Sequence, residues 1–272
     1  MNIEEIGFYK VAEFVLREPP ARDDCFKVVS RDADAHEFGN FSEIARREMI
    51  HRHMANEMTS VDMAAVCVAE FPDAPWGLRM ELARQAWDEA RHVRVLHRRV
   101  KEMGGFKGEF PVSTLEWDMT CAVDNLVGRI TIQNRTLEAG AMDVIGALAQ
   151  QFRGIGDDRT ADMLDGINTD EIQHVRFANR WIKKLAETNP RVLMQMAAAV
   201  RFVTDANAKF QIKEGGEVNA VGAMLASPEN RIPAVNVELR QAAEFSDSEI
   251  HEILRQAGFR SLLPRQPAEK SA

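Results

Sequence analysis

A seven-residue segment occurs twice in this chain. Asp88-Glu-Ala-Arg-His-Val-Arg94 returns 82 residues later as Asp170-Glu-Ile-Gln-His-Val-Arg176, identical at five of seven positions. In each copy a glutamate and a histidine stand three apart: Glu89 with His92, and Glu171 with His174. On a helix that spacing puts both side chains on one face, one turn apart. A single Glu-x-x-His arises readily by chance. Two copies inside a longer repeat point to an internal duplication whose unit is a helical hairpin, and this restricts the folds open to the chain.

The punctuation of the sequence supports that unit. Asn40-Phe-Ser-Glu43 reads as a helix start, with Asn40 or Ser42 as N-cap, and no Pro or Gly follows until Pro72. Pro72-Asp-Ala-Pro75 breaks this first helix. A second runs from about Trp76 to Met103 and stops at Gly104-Gly105. Ser113-Thr-Leu-Glu116 has the form of a capping box opening a third helix, read as continuous to about Arg153 despite Gly128, Gly140 and Gly146. Gly154-Ile-Gly156 ends it, Asp157 or Asp158 caps the fourth, and that helix runs to about Thr188. The expected fold class is all-α: a four-helix bundle over 40–188, with a long crossover between helices two and three. The crossover, residues 104–113, reaches roughly 35 Å when extended. A 25-residue helix is about 38 Å long, so the span is tight but feasible. Residues 1–39 are read as an N-terminal extension holding a short amphipathic helix over 2–17. Residues 189–263 are read as a helical C-terminal extension packing on the bundle, with 191–209 helical and Ser246-Asp-Ser-Glu249 opening a further short helix. Residues 264–272 are read as a disordered tail.

Hairpin geometry locates two more acids. Residues equally far from the turn of an antiparallel hairpin stand at the same height. Reflecting Glu89 through Asp73 lands on Glu57, and reflecting Glu171 through the Gly154–Ile155 bond lands on Glu138. Glu57, Glu89, His92, Glu138, Glu171 and His174 thus form a candidate metal-ligand set. Carboxylates neutralise and bridge cations, and neutral imidazoles complete the coordination while leaving open positions. Four buried carboxylates without such a partner would be costly. The repeated Asp88 and Asp170 are placed to hydrogen-bond the ligand histidines and set their tautomers, with Asn134, Arg91 and Gln173 nearby. His53, one turn before Glu57, is a further ligand or a donor to one. His51 and His97 are read as surface residues, Met194 and Met196 as core, and Cys67 and Cys121 as buried apolar filling.

The bulk composition excludes several classes. The net charge is -8 and the pI near 5.5, which argues against a broad nucleic-acid footprint. The three cysteines, Cys25, Cys67 and Cys121, form no CxxC pair, so neither a disulfide framework nor a cysteine zinc site is expected. A reducing cytoplasm fits. No stretch approaches the roughly 18 apolar residues of a membrane span.

At His53-x-x-x-Glu57, Trp87-Asp-Glu-Ala-Arg-His92, Asn134-Arg-Thr-Leu-Glu138 and Asp170-Glu-Ile-Gln-His174 the chain resembles a bacterial family of ferritin-like proteins without a general assigned activity. The resemblance covers about 40–185. It implies a non-haem di-iron centre, two irons or alternatively two manganese ions, with dioxygen as co-substrate. The expected function is that of a di-iron oxidoreductase of the mono-oxygenase or oxidase class, which hydroxylates, N-oxygenates or desaturates a small organic substrate. Glu57, Glu138 and His53 are the side chains expected nearest that chemistry. An electron donor and a second copy of the chain, as a homodimer, are the expected partners. The alternatives are a ferroxidase or iron store, a di-manganese catalase-like peroxidase and, against the acidic pI, a tRNA-modifying enzyme. A ribonucleotide reductase role is disfavoured, because the only tyrosine, Tyr9, lies outside the four helices.

Overall fold

In a computed structural model of the chain, residues 8–11, 14–29, 38, 40–210 and 235–256 are described. These residues are predominantly helical, as an all-α chain requires. Helix α1 (Glu43–Glu70) begins where the Ser42 hydroxyl accepts from the Ala45 N–H, and stops before Pro72. Helix α2 (Trp76–Glu102) follows directly, so the two run antiparallel. Gly104, with a φ of 82°, turns the chain out of α2.

The stretch from Gly104 to Pro111 is pinned by a residue expected at the surface. His51 is fully buried, its Nε2 accepting from the Gly108 N–H at 3.0 Å and its ring packed against Phe26 and Phe110. It sits on the inward face of α1, where aromatic residues from both flanking connections close over it. Gly108 has a φ of 83°, and a Cβ there would meet the Cys25 carbonyl oxygen at 2.1 Å, so only glycine fits. Burial lowers the His51 pKa from its usual 6.5, against the opposing pull of Glu48 and Glu109. The sign follows from linkage. Neutral His51 contributes its stability in full above the unfolded value of 6.5, and that contribution is lost as the pH falls toward its lower folded value. Urea unfolding at pH 7 and pH 5 is expected to show a larger acid-induced loss for the native chain than for His51→Gln. Equal losses would mean that His51 carries no such load.

Two short strand pairs flank the helices. Residues 2–17 were expected to form a helix, yet β1 (Phe8–Val11) and β2 (Phe14–Arg17) pair antiparallel, with Phe8 opposite Arg17. Phe-Tyr-Lys-Val and Phe-Val-Leu-Arg carry aromatic and β-branched residues that favour a pleated surface, and this local preference overrides the helical spacing. Residues 2–7, 12 and 13 of that expectation lie outside the described residues. β3 (Val28–Val29) runs parallel to β4 (Val112–Ser113).

The expected third helix is not continuous. Thr114 occupies the N-cap of α3 (Leu115–Cys121), and Glu116 accepts from Asn56 of α1 at 3.3 Å. The helix ends at Cys121, and Asn125 starts a new one, α4 (Leu126–Ile130), by accepting from the Gly128 N–H at 2.8 Å. An eight-residue π-helical turn, Thr131–Glu138, then leads into α5 (Ala139–Gly154). Helix α6 (Asp158–Thr188) is capped by Asp157, which also accepts from Arg99 of α2 at 2.7 Å.

Two apolar clusters frame what lies between them. One joins Ile50, Met54, Leu96, Val100, Ile145, Phe152 and Leu164 from α1, α2, α5 and α6. The other joins Cys67, Leu78, Leu82, Ile130, Phe177 and Ile182. Cys67 and Cys121 are buried, as expected, and burial pushes their thiols up to about 11 and about 12.

Helix α7 (Arg191–Phe210) lays Ala199, Val203 and Ala206 on Leu115, Met119 and Ile132. Met196 is partly buried, but Met194, expected in the core, is 72% exposed because α7 turns only one face inward. Two short helices, α8 (Val237–Ala242) and α9 (Asp247–Gln256), pack Ala243, Phe245, Ile250 and Leu254 on Ala139, Met142 and Val175. The expected tail 264–272 lies outside the described residues.

Candidate metal centre

Between the two apolar clusters, α1, α2, the π-helical turn and α6 present one polar layer. Glu57, Glu89, His92, Glu138, Glu171 and His174 all reach it, and all are buried. One ligand atom each from Glu57, Glu89, His92 and Glu171 meet within 4.8 Å, a group able to hold a metal ion. His92 Nδ1 lies 3.0 Å from Glu89, 3.3 Å from Glu57 and 3.4 Å from Glu171. His174 Nδ1 lies 3.0 Å from Glu171 and 3.2 Å from Glu89. Glu138 reaches the layer from the far side, where Gln85 Nε2 donates to it at 3.1 Å and to Glu89 at 3.0 Å.

The histidines are held from behind, crosswise. His92 Nε2 lies 3.2 Å from Asp170 Oδ2, and His174 Nε2 lies 3.5 Å from Asp88 Oδ2. The aspartate of each repeat thus serves the histidine of the other. An Nε2 proton shared with a carboxylate leaves the Nδ1 lone pair facing the cluster, the tautomer a metal ligand needs. Arg91 joins both aspartates, 3.0 Å from Asp170, and so ties α2 to α6. Gln173, its counterpart in the repeat, instead accepts from Arg176 and takes no part.

The electrostatics are those of crowded, dry acids. Burial and the neighbouring Glu89 raise the Glu57 carboxyl, although His53 and His92 oppose this. Burial, with the charges of Glu171 and Glu89, holds Glu138 well above the usual range. Burial also works against ionised Glu89 and Glu171, but His174 and His92 win and both stay low. Both histidines are raised despite burial, by the carboxylates around them. Without metal, protons balance the cluster. Glu171 Oε1 is buried and meets His92 Nδ1 at 3.4 Å only as an ion pair, with no hydrogen bond of good geometry among the described residues, so it has a lone pair to spare in the layer. Hard carboxylate oxygens with two imidazole nitrogens suit iron, manganese or zinc far better than softer cations.

His53 stands on the rim, its Nε2 2.8 Å from Glu57 Oε1. Asn134, buried, donates to Gln85 Oε1 at 2.7 Å and to the His174 carbonyl at 3.3 Å. Gln85 is the residue that sequence reasoning missed, although its place one turn before Glu89 was a usable signal. His97 is only partly buried.

A family model described as "Protein of unknown function (DUF455)" matches residues 4–251. The chain belongs to that family. No curated protein and no solved structure matches it. For this DUF455 member the cross-bonded aspartates lead to a direct expectation. Asp170→Asn removes the charge that orients His92 and is expected to weaken divalent-metal binding about 10- to 100-fold with the fold intact. Calorimetric titration with Mn(II) reads this, and unchanged affinity would release Asp170 from the role.

Proposed function

We propose that the chain is a ferritin-like four-helix protein whose polar layer holds two metal ions, and that it works as a di-iron oxidoreductase on a small organic substrate. One observation carries the reading: Glu89 and Glu171 each approach both imidazoles, at 3.0–3.4 Å. Standing between the imidazoles, each carboxylate would be able to serve both halves of a two-metal site. Glu57 stands beside His92 at 3.3 Å, and Glu138 enters the same layer through Gln85, close enough to feel the charges of Glu171, Glu89 and His174. Four glutamates, two of them in Glu-x-x-His pairs, match the ligand pattern of dinuclear carboxylate proteins of this architecture.

When bound, two irons supply the electrons and open coordination positions that dioxygen reduction requires. The remaining work falls to the chain. Asp88 and Asp170 hold the imidazole tautomers. Gln85, itself held by Asn134, links Glu89 and Glu138 through one amide nitrogen and aims both. His53, beside Glu57 and nearer the surface, is placed to pass a proton to or from the Glu57 carboxylate. The flanking apolar clusters keep bulk water away.

The test is anaerobic loading with Fe(II), followed by mixing with dioxygen and rapid absorption spectroscopy. About two irons per chain, oxidised with a transient visible band, support an oxygenase of this type. Large iron loads per assembly would replace it with a storage role, and no specific uptake would end the metal reading.

A further inference from the structure

The π-helical turn Thr131–Glu138 carries Asn134 and Glu138 into the polar layer. A π turn has poorer packing than an α turn and persists where its surroundings hold it. Inside the turn only the Thr136 hydroxyl gives side-chain support, donating to the Thr131 carbonyl at 2.9 Å. On the metal-facing side Asn134 and Glu138 are tied to Gln85, and Gln133 donates to the Ser60 carbonyl; on the opposite, C-terminal side the restraint runs through Arg135. Its guanidinium donates to Glu249 and to Asn179, and stacks 4.6 Å from the centroid of Phe245.

Phe245 and Glu249 belong to the segment 235–256, which is itself fastened at several points. Arg240 pairs with Asp143 at 2.6 Å, the Asn236 N–H donates to Asp143, and Asn179 Nδ2 donates to the Ala243 carbonyl at 2.8 Å. Glu249 serves two purposes with two oxygens. Oε2 closes the capping box on Ser246 at 2.7 Å, and Oε1 takes Arg135. The pair is largely shielded, with side-chain exposures of 10% and 29%.

We propose that Arg135 is a positioning residue: gripped by Glu249 and Phe245 of the C-terminal segment, it holds the π register of Thr131–Glu138 and so sets where Asn134 and Glu138 stand in the polar layer. The C-terminal segment thereby reaches the centre without contributing a ligand. The link to metal rests on the dinuclear reading above, while the link to the π turn does not.

The variants are Glu249→Gln, which can keep the capping box but loses the charge, Arg135→Met, and Arg135→Lys as the conservative rescue. Two readouts separate the two links. The first is amide hydrogen exchange of the metal-free full chain. Exchange within 131–138 is expected to rise about tenfold or more in Glu249→Gln and Arg135→Met, as loss of one partner of a shielded ion pair implies, with α1 and α2 unchanged. The second is the visible spectrum of bound Co(II), expected to shift in the same two variants and to return toward the parent in Arg135→Lys. Faster exchange confined to 237–256, with 131–138 unaffected, would overturn the proposal, as would an unshifted Co(II) spectrum in variants whose π turn has loosened. Absence of Co(II) uptake by the parent chain would overturn the dinuclear reading, and the exchange result alone would then decide the clamp.

Discussion

Glu89→Ala is expected to fold and yet to lose both metals, falling from about two per chain to less than one after anaerobic loading with Fe(II). The expectation rests on where the carboxylate stands. Its oxygens lie 3.0 Å from His92 Nδ1 and 3.2 Å from His174 Nδ1, so its removal opens both halves of the site at once. Glu171→Ala should behave alike, since Glu171 also faces both imidazoles. Glu57→Ala, which removes a carboxylate beside only one of the two cluster imidazoles, His92, should spare more of the metal. Elemental analysis of the loaded proteins decides the matter, and two metals retained in the Glu89 and Glu171 variants would sink the ligand assignment.

The second large effect runs the opposite way. In metal-free protein, Glu138→Leu is expected to stabilise the fold by about 1–4 kcal/mol, because a well-packed apolar side chain replaces a buried acid among other acids. Burial, with Glu171 and Glu89, raises the Glu138 carboxyl well above its unfolded value of 4.5. A folded carboxyl with a raised pKa binds more protons than the unfolded chain, so its burden is absent below pH 4.5 and grows as the pH rises. The advantage of the leucine variant should therefore widen from pH 5 to pH 8 in urea unfolding. Saturating metal should reverse the ranking, since only the native chain gains binding free energy in full. A metal-free Glu138→Leu protein less stable than the parent would mean that the cluster is not under charge strain.

The six cluster residues are legible in the sequence because helices are regular rulers. Spacing of three places Glu89 with His92 and Glu171 with His174. A short break such as Pro72–Pro75 acts as a mirror, bringing Glu57 and Glu138 to the height of their partners. Local chemistry likewise marks Ser42 and Asp157 as caps and shows where the first, second and fourth helices stop. Other features depend on groups far apart in the chain, and no local rule reaches them. The crosswise pairing of Asp88 with His174 and of Asp170 with His92 exists only once α2 lies against α6. Gln85 becomes part of the site only when Asn134 and Glu138 arrive from the π turn, and that turn has no spacing signature of its own. His51 reads as a surface histidine until the Gly108 backbone and two phenylalanine rings close over it. The sequence by itself determined the helical class and which side chains share a height along each helix, because both follow from backbone periodicity. Only the tertiary structure decided which neighbour orients each ligand, because hydrogen-bond partners are chosen by side chains that packing brings together across the fold.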